Sequence, residues 1–187
     1  MAAIDKKERR LQARITPAKE EYFMGVLFML SAICKDPHGQ EAALLIDNKD
    51  RLITFGVNHI SQPAGYQNRK LSWDPEDRYL GMTASGDSAM DRALKLYVPA
   101  STMCEPFTSH TMYLTGPPTL RLVNRAAANG LKNFIYGPLR SQMFDEDDWK
   151  QAVELAKVHD MTLKEFNGNL GWLRDRTKAL SETFRLF

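Results

Sequence analysis

From residue 111 onward the chain alternates between strand-like and helix-like runs, and that alternation limits the possible folds more than composition does. Residues 111–115 form a short apolar run of strand length, and residues 118–128 read as a helix with Gly130 as its C-cap. Residues 131–137, containing Phe134, Ile135 and Tyr136, form a second strand-like run. An acidic-started helix over 145–158, a strand over 161–166 and a terminal helix over 170–187 complete the series. Strands connected by helices cross over in one hand, so these last three strands should be parallel.

Upstream, Thr16 and Pro17 suit the N-cap and first position of a helix running to about Ile33. Tyr22, Val26, Met29, Leu30 and Ile33 recur at helical spacing and give it an expected buried stripe. Residues 41–47 and 52–58 read as two strands joined by the polar turn Asn48-Lys49-Asp50, which is a hairpin signal. Residues 59–86 read as irregular, and a loop of that length in a compact domain is commonly functional. A further helix starts near Ser88, with Ser88 and Asp91 at capping-box spacing, and ends before Pro99. The order implies an α/β domain of three layers, α-β-α, with a mixed five-stranded sheet that opens on a hairpin.

The 187 residues suit one domain over 16–187, preceded by a charged tail over 1–15 that carries Lys6, Lys7, Arg9, Arg10 and Arg14. That tail reads either as solvated or as an arm for an acidic surface or partner subunit. A net charge of +2 does not indicate nucleic acid. Cys34 and Cys104 suggest neither a disulfide framework nor a metal pair, and free thiols fit a cytoplasmic protein. No signal peptide is read at the N-terminus, and the longest apolar run, residues 23–33, is too short to span a membrane.

Several segments, taken in order, resemble the cytidine and deoxycytidylate deaminases, most closely the dCMP type. Cys34-Lys35-Asp36-Pro37 is similar to that family's Ser-Lys-Asp-Pro segment. Phe55-Gly56-Val57-Asn58-His59 resembles its Gly-Tyr-Asn-Gly substrate loop. The strand at 111–115 resembles the one leading into its cysteine motif, and Gly130-Leu131-Lys132-Asn133-Phe134-Ile135-Tyr136 resembles Gly-Ile-Lys-x-Val-Ile-Tyr. The likeness covers roughly residues 17–167 and implies a cytidine-deaminase-like fold with a five-stranded sheet, the last three strands parallel.

The same resemblance exposes a departure. Family deaminases hold zinc with a His or Cys and two Cys residues, and a glutamate shuttles protons. Those positions fall here on Ser88, Met90, Thr119 and Leu122, with Met90 at the glutamate. Zinc lowers the pKa of bound water from 15.7 to about 7. At about 1.36 kcal/mol per unit this is roughly 12 kcal/mol in making hydroxide available. None of the four side chains supplies it, so neither zinc nor family-type deamination is expected. A rebuilt metal site from Asp87, Asp91 and His110 is the competing possibility. Met90 and Leu122 would make the former metal position apolar, most simply a filled core.

The resemblance leaves a nucleotide pocket in play, with Lys35, Asn58 and His59 as binding candidates by position. Arg69, within the basic stretch Gln67-Asn68-Arg69-Lys70, is a further candidate. Each could equally be a surface or turn residue. Trp73, Tyr79, Tyr97 and Phe107 could pack in a core or stack on a base. Three functions are therefore open. The chain could be an inactive deaminase-like protein that binds a pyrimidine nucleotide or a protein partner as regulator, inhibitor or inactive subunit. It could be an assembly protein using the fold as an interaction block. It could be a nucleotide-processing enzyme with zinc-independent chemistry. Homo-oligomerisation is implied by the resemblance.

Overall fold

The computed structural model describes residues 18–34, 40–60, 82–83, 89–90, 107–140 and 144–172. Its elements run α1 (Lys19–Ser31), β1 (Ala42–Ile46), β2 (Leu52–Val57), β3 (His59–Ile60), β4 (Met82–Thr83), β5 (Thr111–Leu114), α2 (Leu120–Ala128), β6 (Asn133–Tyr136), α3 (Glu146–Val158) and β7 (Thr162–Glu165). Five strands form one sheet in the order β2-β1-β5-β6-β7. β1 is antiparallel to both β2 and β5, while β5, β6 and β7 are mutually parallel, as the alternating pattern predicts.

Side chains alternate across each strand, and this sorts the core into two halves. Ala43, Leu45, Met112, Leu114 and Phe134 face one way and pack with Leu122, Val123 and Ala126 of α2 and Ala152 and Ala156 of α3. Ala42, Leu44, Ile46, Tyr113 and Ile135 face the other way and pack with Phe23, Met24 and Leu27 of α1. The result is the expected three-layer α-β-α arrangement.

Local chemistry sets the element ends. Asp145 caps α3 by accepting the Asp147 and Asp148 amides at 2.8 and 3.4 Å, and three acidic residues occupy its first turn. Gly130, with φ 75°, takes the left-handed position after α2 that most side chains avoid. Loops after β5 and β6 lie against each other because Gly116 and Gly137 lack a Cβ. One built at Gly116 would come within 2.1 Å of the Leu139 carbonyl oxygen. The Gly137 amide donates to Leu114 at 2.8 Å and the Leu139 amide to Thr115 at 3.0 Å, joining the two strand exits.

Four expectations are corrected. The stripe Tyr22, Val26, Met29, Leu30 and Ile33 is not the buried face of α1: Tyr22, Met29 and Ile33 are 50%, 51% and 57% exposed, while Phe23, Met24, Leu27 and Ser31 face the sheet. From Tyr22 to Leu30 nearly every side chain is apolar, so periodicity could not select a side. The N-cap of α1 is Ala18 rather than Thr16, with Glu21 reaching back to the Ala18 amide at 3.3 Å. Helix α2 starts at Leu120 with Thr119 as its cap, leaving Pro118 outside. The segment 59–86 is not wholly irregular, because His59–Ile60 pairs with Met82–Thr83. A two-residue strand is too short to leave an alternating signature. Thr16, Pro17, Ser88, Asp91 and residues 173–187 of the terminal helix lie outside the described residues, although 89–90 and 171–172 are helical. Among the described residues no helix is long and apolar enough to cross a membrane.

The β1–β2 turn is held by one carboxylate. Asp47 accepts the Lys49 amide at 2.8 Å, the Arg51 amide at 2.9 Å and the Arg51 Nε–H at 2.7 Å. The Arg51 amide leads in holding its pKa down at about 2, and burial opposes the shift. A folded-state pKa below the unfolded one contributes stability above the unfolded value of 3.8, lost as pH falls toward 2. Asp47→Asn should therefore lower the urea midpoint at pH 6. The gap between variant and parent should narrow steadily from pH 4 to pH 2 in parallel urea titrations.

Candidate functional site

Helix α2 leaves the sheet just beyond β5, and its N-terminus is one of the places where the resemblance puts zinc ligands. Backbone amides of a first helical turn lack partners within the helix. Two of them are occupied internally here: Thr119 Oγ1 accepts the Leu122 amide at 3.2 Å, and Asp148 Oδ2 accepts the Leu120 amide at 2.9 Å. Asp148 belongs to α3, so its carboxylate also latches the two helices together while countering the positive end of the α2 dipole.

Met90 is fully buried and Leu122 is 4% exposed, and both lie in the core half shared with Ala89, Leu114, Val123 and Phe134. A zinc ion takes thiolate, imidazole or carboxylate ligands. At this place the described side chains offer a thioether, a branched alkane and a hydroxyl already engaged as a helix cap. That donor set does not fit zinc. Ser88, the fourth position, and Asp87 and Asp91 lie outside the described residues. Among the described residues no group of three or more His, Cys, Asp or Glu side chains could hold a metal ion.

His110 lies at the opposite end of β5 from α2. It precedes β5, whereas α2 follows it. Four strand residues at about 3.4 Å each separate the two ends by more than about 13 Å. Its ring meets Phe107 edge-on at 5.7 Å, and burial pushes its pKa down, with Asp47 opposing. It therefore cannot share ligands with the α2 N-terminus. Phe107 is itself fully buried, which places it in the core.

Of the nucleotide-binding candidates, Asn58 is the one whose side chain is described. It is buried at the end of β2, and its Nδ2 donates to Glu41 Oε2 at 3.2 Å. Its backbone N–H donates to the Glu41 carbonyl at 3.2 Å, and its carbonyl accepts the Cys34 thiol at 3.3 Å. Asn58 thus ties the end of α1 to the base of the hairpin. His59 contributes backbone to β3, and its side chain lies outside the described residues, as do Lys35 and Arg69. The structure therefore brings Asn58 together with Cys34 and Glu41 but does not join it to a described cation. Glu41 and Asp148 were missed from sequence. Their positions in the chain carried no motif, because each meets its partner, the Asn58 amide or the Leu120 backbone N–H, only once the chain has folded.

No protein-family model matches the chain, and no relative is found among curated proteins. Solved structures do match. The dCMP deaminase of cyanophage S-TIM5 aligns with 79% of this chain and 96% of its own, at 14% identity and a TM-score of 0.56. Its complex with dCMP and dUMP aligns with 78% and 95%, at 12% identity and a TM-score of 0.59. The Rib2 deaminase of Aspergillus oryzae aligns with 88% and 100%, at 12% identity and a TM-score of 0.55. Identities this low speak to architecture, and the chain has a cytidine-deaminase-like fold.

Removing the Asn58 amide would leave the Glu41 carboxylate short of a donor. A hydrogen bond to a charged group contributes about 1.5–3 kcal/mol. Asn58→Ala should lower unfolding free energy by about that amount in urea titrations, and Asn58→Asp should cost more by placing two carboxylates together.

Proposed function

We propose that this chain is a deaminase-fold protein that acts by binding a pyrimidine nucleotide or a protein partner, without zinc-dependent deamination. The burial of Met90 and Leu122 in one apolar cluster carries the proposal. A proton-shuttling acid and a metal-bound hydroxide need polar, accessible positions, and neither of the two apolar side chains described there can take up a proton or polarise water. Closure of the α2 N-terminus by Thr119 and Asp148 supports the same conclusion. The phage deaminase whose fold is similar was solved with dCMP and dUMP, which makes pyrimidine nucleotides the first ligands to try.

Elemental analysis of purified protein should find far less than one zinc per chain, and dCMP should yield no dUMP. Stoichiometric zinc with turnover overturns the proposal. A nucleotide that binds should stabilise the fold by about 2.7 kcal/mol at one hundred times its dissociation constant, read as a rise in melting temperature.

A role as an interaction block is favoured by one observation, the outward face of α1. Tyr22, Met29 and Ile33 are half or more exposed on one side of that helix, and Trp172 stacks on Tyr22 at 6.5 Å and 15°. If this face meets a second copy, light scattering should give a mass above that of the 21.3 kDa chain. Met29→Glu should then return it to monomer without lowering the melting temperature, because Met29 packs little within its own chain.

A further inference from the structure

From Tyr22 to Leu30 helix α1 is apolar on nearly every side, and a helix apolar all round is a buried one. The sheet covers only one side of it. Tyr22 and Met29, with Ile33 in the turn that ends the helix, stay half or more exposed on the other. With Val26 they recur at i, i+4, i+7 and i+11, one stripe along the outward face.

The chain itself returns to this face. After β7, Phe166 is buried in the cluster on the α1 side of the sheet. The Asn169 amide donates to Glu21 Oε1 at 2.9 Å. Trp172 then lies over Gly25, where a Cβ would meet its ring at 2.6 Å, and stacks on Tyr22. From Asn169 to Trp172 the points of contact advance along α1 from Glu21 to Gly25, toward Met29 and Ile33. A helix starts on this course. Residues 171–172 are helical, and Asn169 Oδ1 accepts the Gly171 amide at 2.7 Å, as an N-cap side chain does. The Trp172 indole N–H is buried and meets no acceptor among the described residues. Buried donors are paired as a rule, so it calls for a group beyond those residues.

Residues 173–187 have the length and the pattern to fill the rest of the stripe. Leu173, Leu180, Phe184 and Phe187 follow at steps of seven, four and three, which is one side of a helix. Arg174, Asp175, Lys178, Glu182 and Arg185 would take the opposite side. Fifteen residues after Trp172 reach about 22 Å as a helix, whereas Ile33 is eight residues and about 12 Å beyond Gly25. Tethering also favours this occupant over a second copy. A segment joined directly to Trp172 acts at an effective concentration of about millimolar, and a separate molecule competes only at its own concentration.

We propose that residues 173–187 continue the helix begun at Gly171 along the outward face of α1, parallel to it, and cover Met29 and Ile33 within one chain. The proposal goes beyond nucleotide binding and does not depend on it. It gives this face to the chain's own terminus and thereby keeps it from a second copy.

The test is methyl NMR on the full chain, labelled at Met, Ile and Leu, with light scattering on the same sample. Two parallel helices rise alike, so with Trp172 on Gly25 the residue eight places on, Leu180, comes to Ile33. The expected result is a nuclear Overhauser contact between the Ile33 and Leu180 methyl groups in a 21.3 kDa monomer, the Leu180 signals being identified by their loss in Leu180→Ala. No such contact in a monomer overturns the proposal. A contact seen only between differently labelled molecules, with the mass raised, overturns it in favour of a second copy. Met29→Glu gives an independent reading. It should lower the melting temperature by about 2 °C or more at every protein concentration, because the charge then faces the terminal helix. An unchanged melting temperature overturns the cover.

Discussion

Burial of β1 on both faces and both edges is the constraint on which the rest of the structure depends. Ala42–Ile46 has no exposed residue, and it pairs with β2 on one side and β5 on the other. Its alternating side chains divide the core, Ala43 and Leu45 toward α2 and α3, Ala42, Leu44 and Ile46 toward α1. The pairing continues past the strand ends. The Ala42 amide donates to Thr115 Oγ1 at 3.0 Å, and the Thr115 amide donates to the Ala42 carbonyl at 3.1 Å. β5 is thereby held at the point where the chain leaves the sheet. The loop of residues 116–119 starts from a fixed origin, and the N-terminus of α2 inherits its position from β1.

The strand–helix alternation after residue 111 was legible because each helix there is amphipathic or capped by side chains that announce it. Asp145 and the acidic first turn of α3, and Gly130 after α2, are local signals, and local signals survive in a sequence. The face of α1 was not legible. A helix apolar nearly all round is oriented by what it packs on, and the sheet that receives Phe23, Met24 and Leu27 is assembled from residues 15 to 112 positions away. The β3–β4 pair escaped for a related reason: two residues from each of two distant segments carry no period.

The candidate site divides in the same way. That Met90 and Leu122 would be core could be inferred from their side chains and the resemblance, and both are buried together. The roles of Thr119 and Asp148 were hidden. Thr119 stood out only as a residue where a ligand was absent, whereas in the fold it caps a helix. Asp148 looked like one more acid in the first turn of α3, yet its carboxylate serves the amide of another helix 28 residues earlier. Asn58, singled out as a contact for ligand, is engaged by Glu41 and Cys34. Polar residues at such corners serve the backbone first, and whatever they offer a ligand is limited by that duty.

The α2 cap also bears on how such a protein can change over generations. A route toward a family-type metal site at this place would have to exchange Thr119 and Leu122 for thiols and Met90 for an acid, besides Ser88 for an imidazole or thiol. The first exchange deletes a cap bond worth about 1 kcal/mol. The second opens a void beside Val123 and Phe134, and the third buries a charge among hydrocarbons. Each of these three steps is harmful alone, and the benefit arrives only when all four are present. At the start of α2, packing and capping thus tie together residues that could be exchanged only as a set, whereas the exposed positions of the domain can vary one at a time.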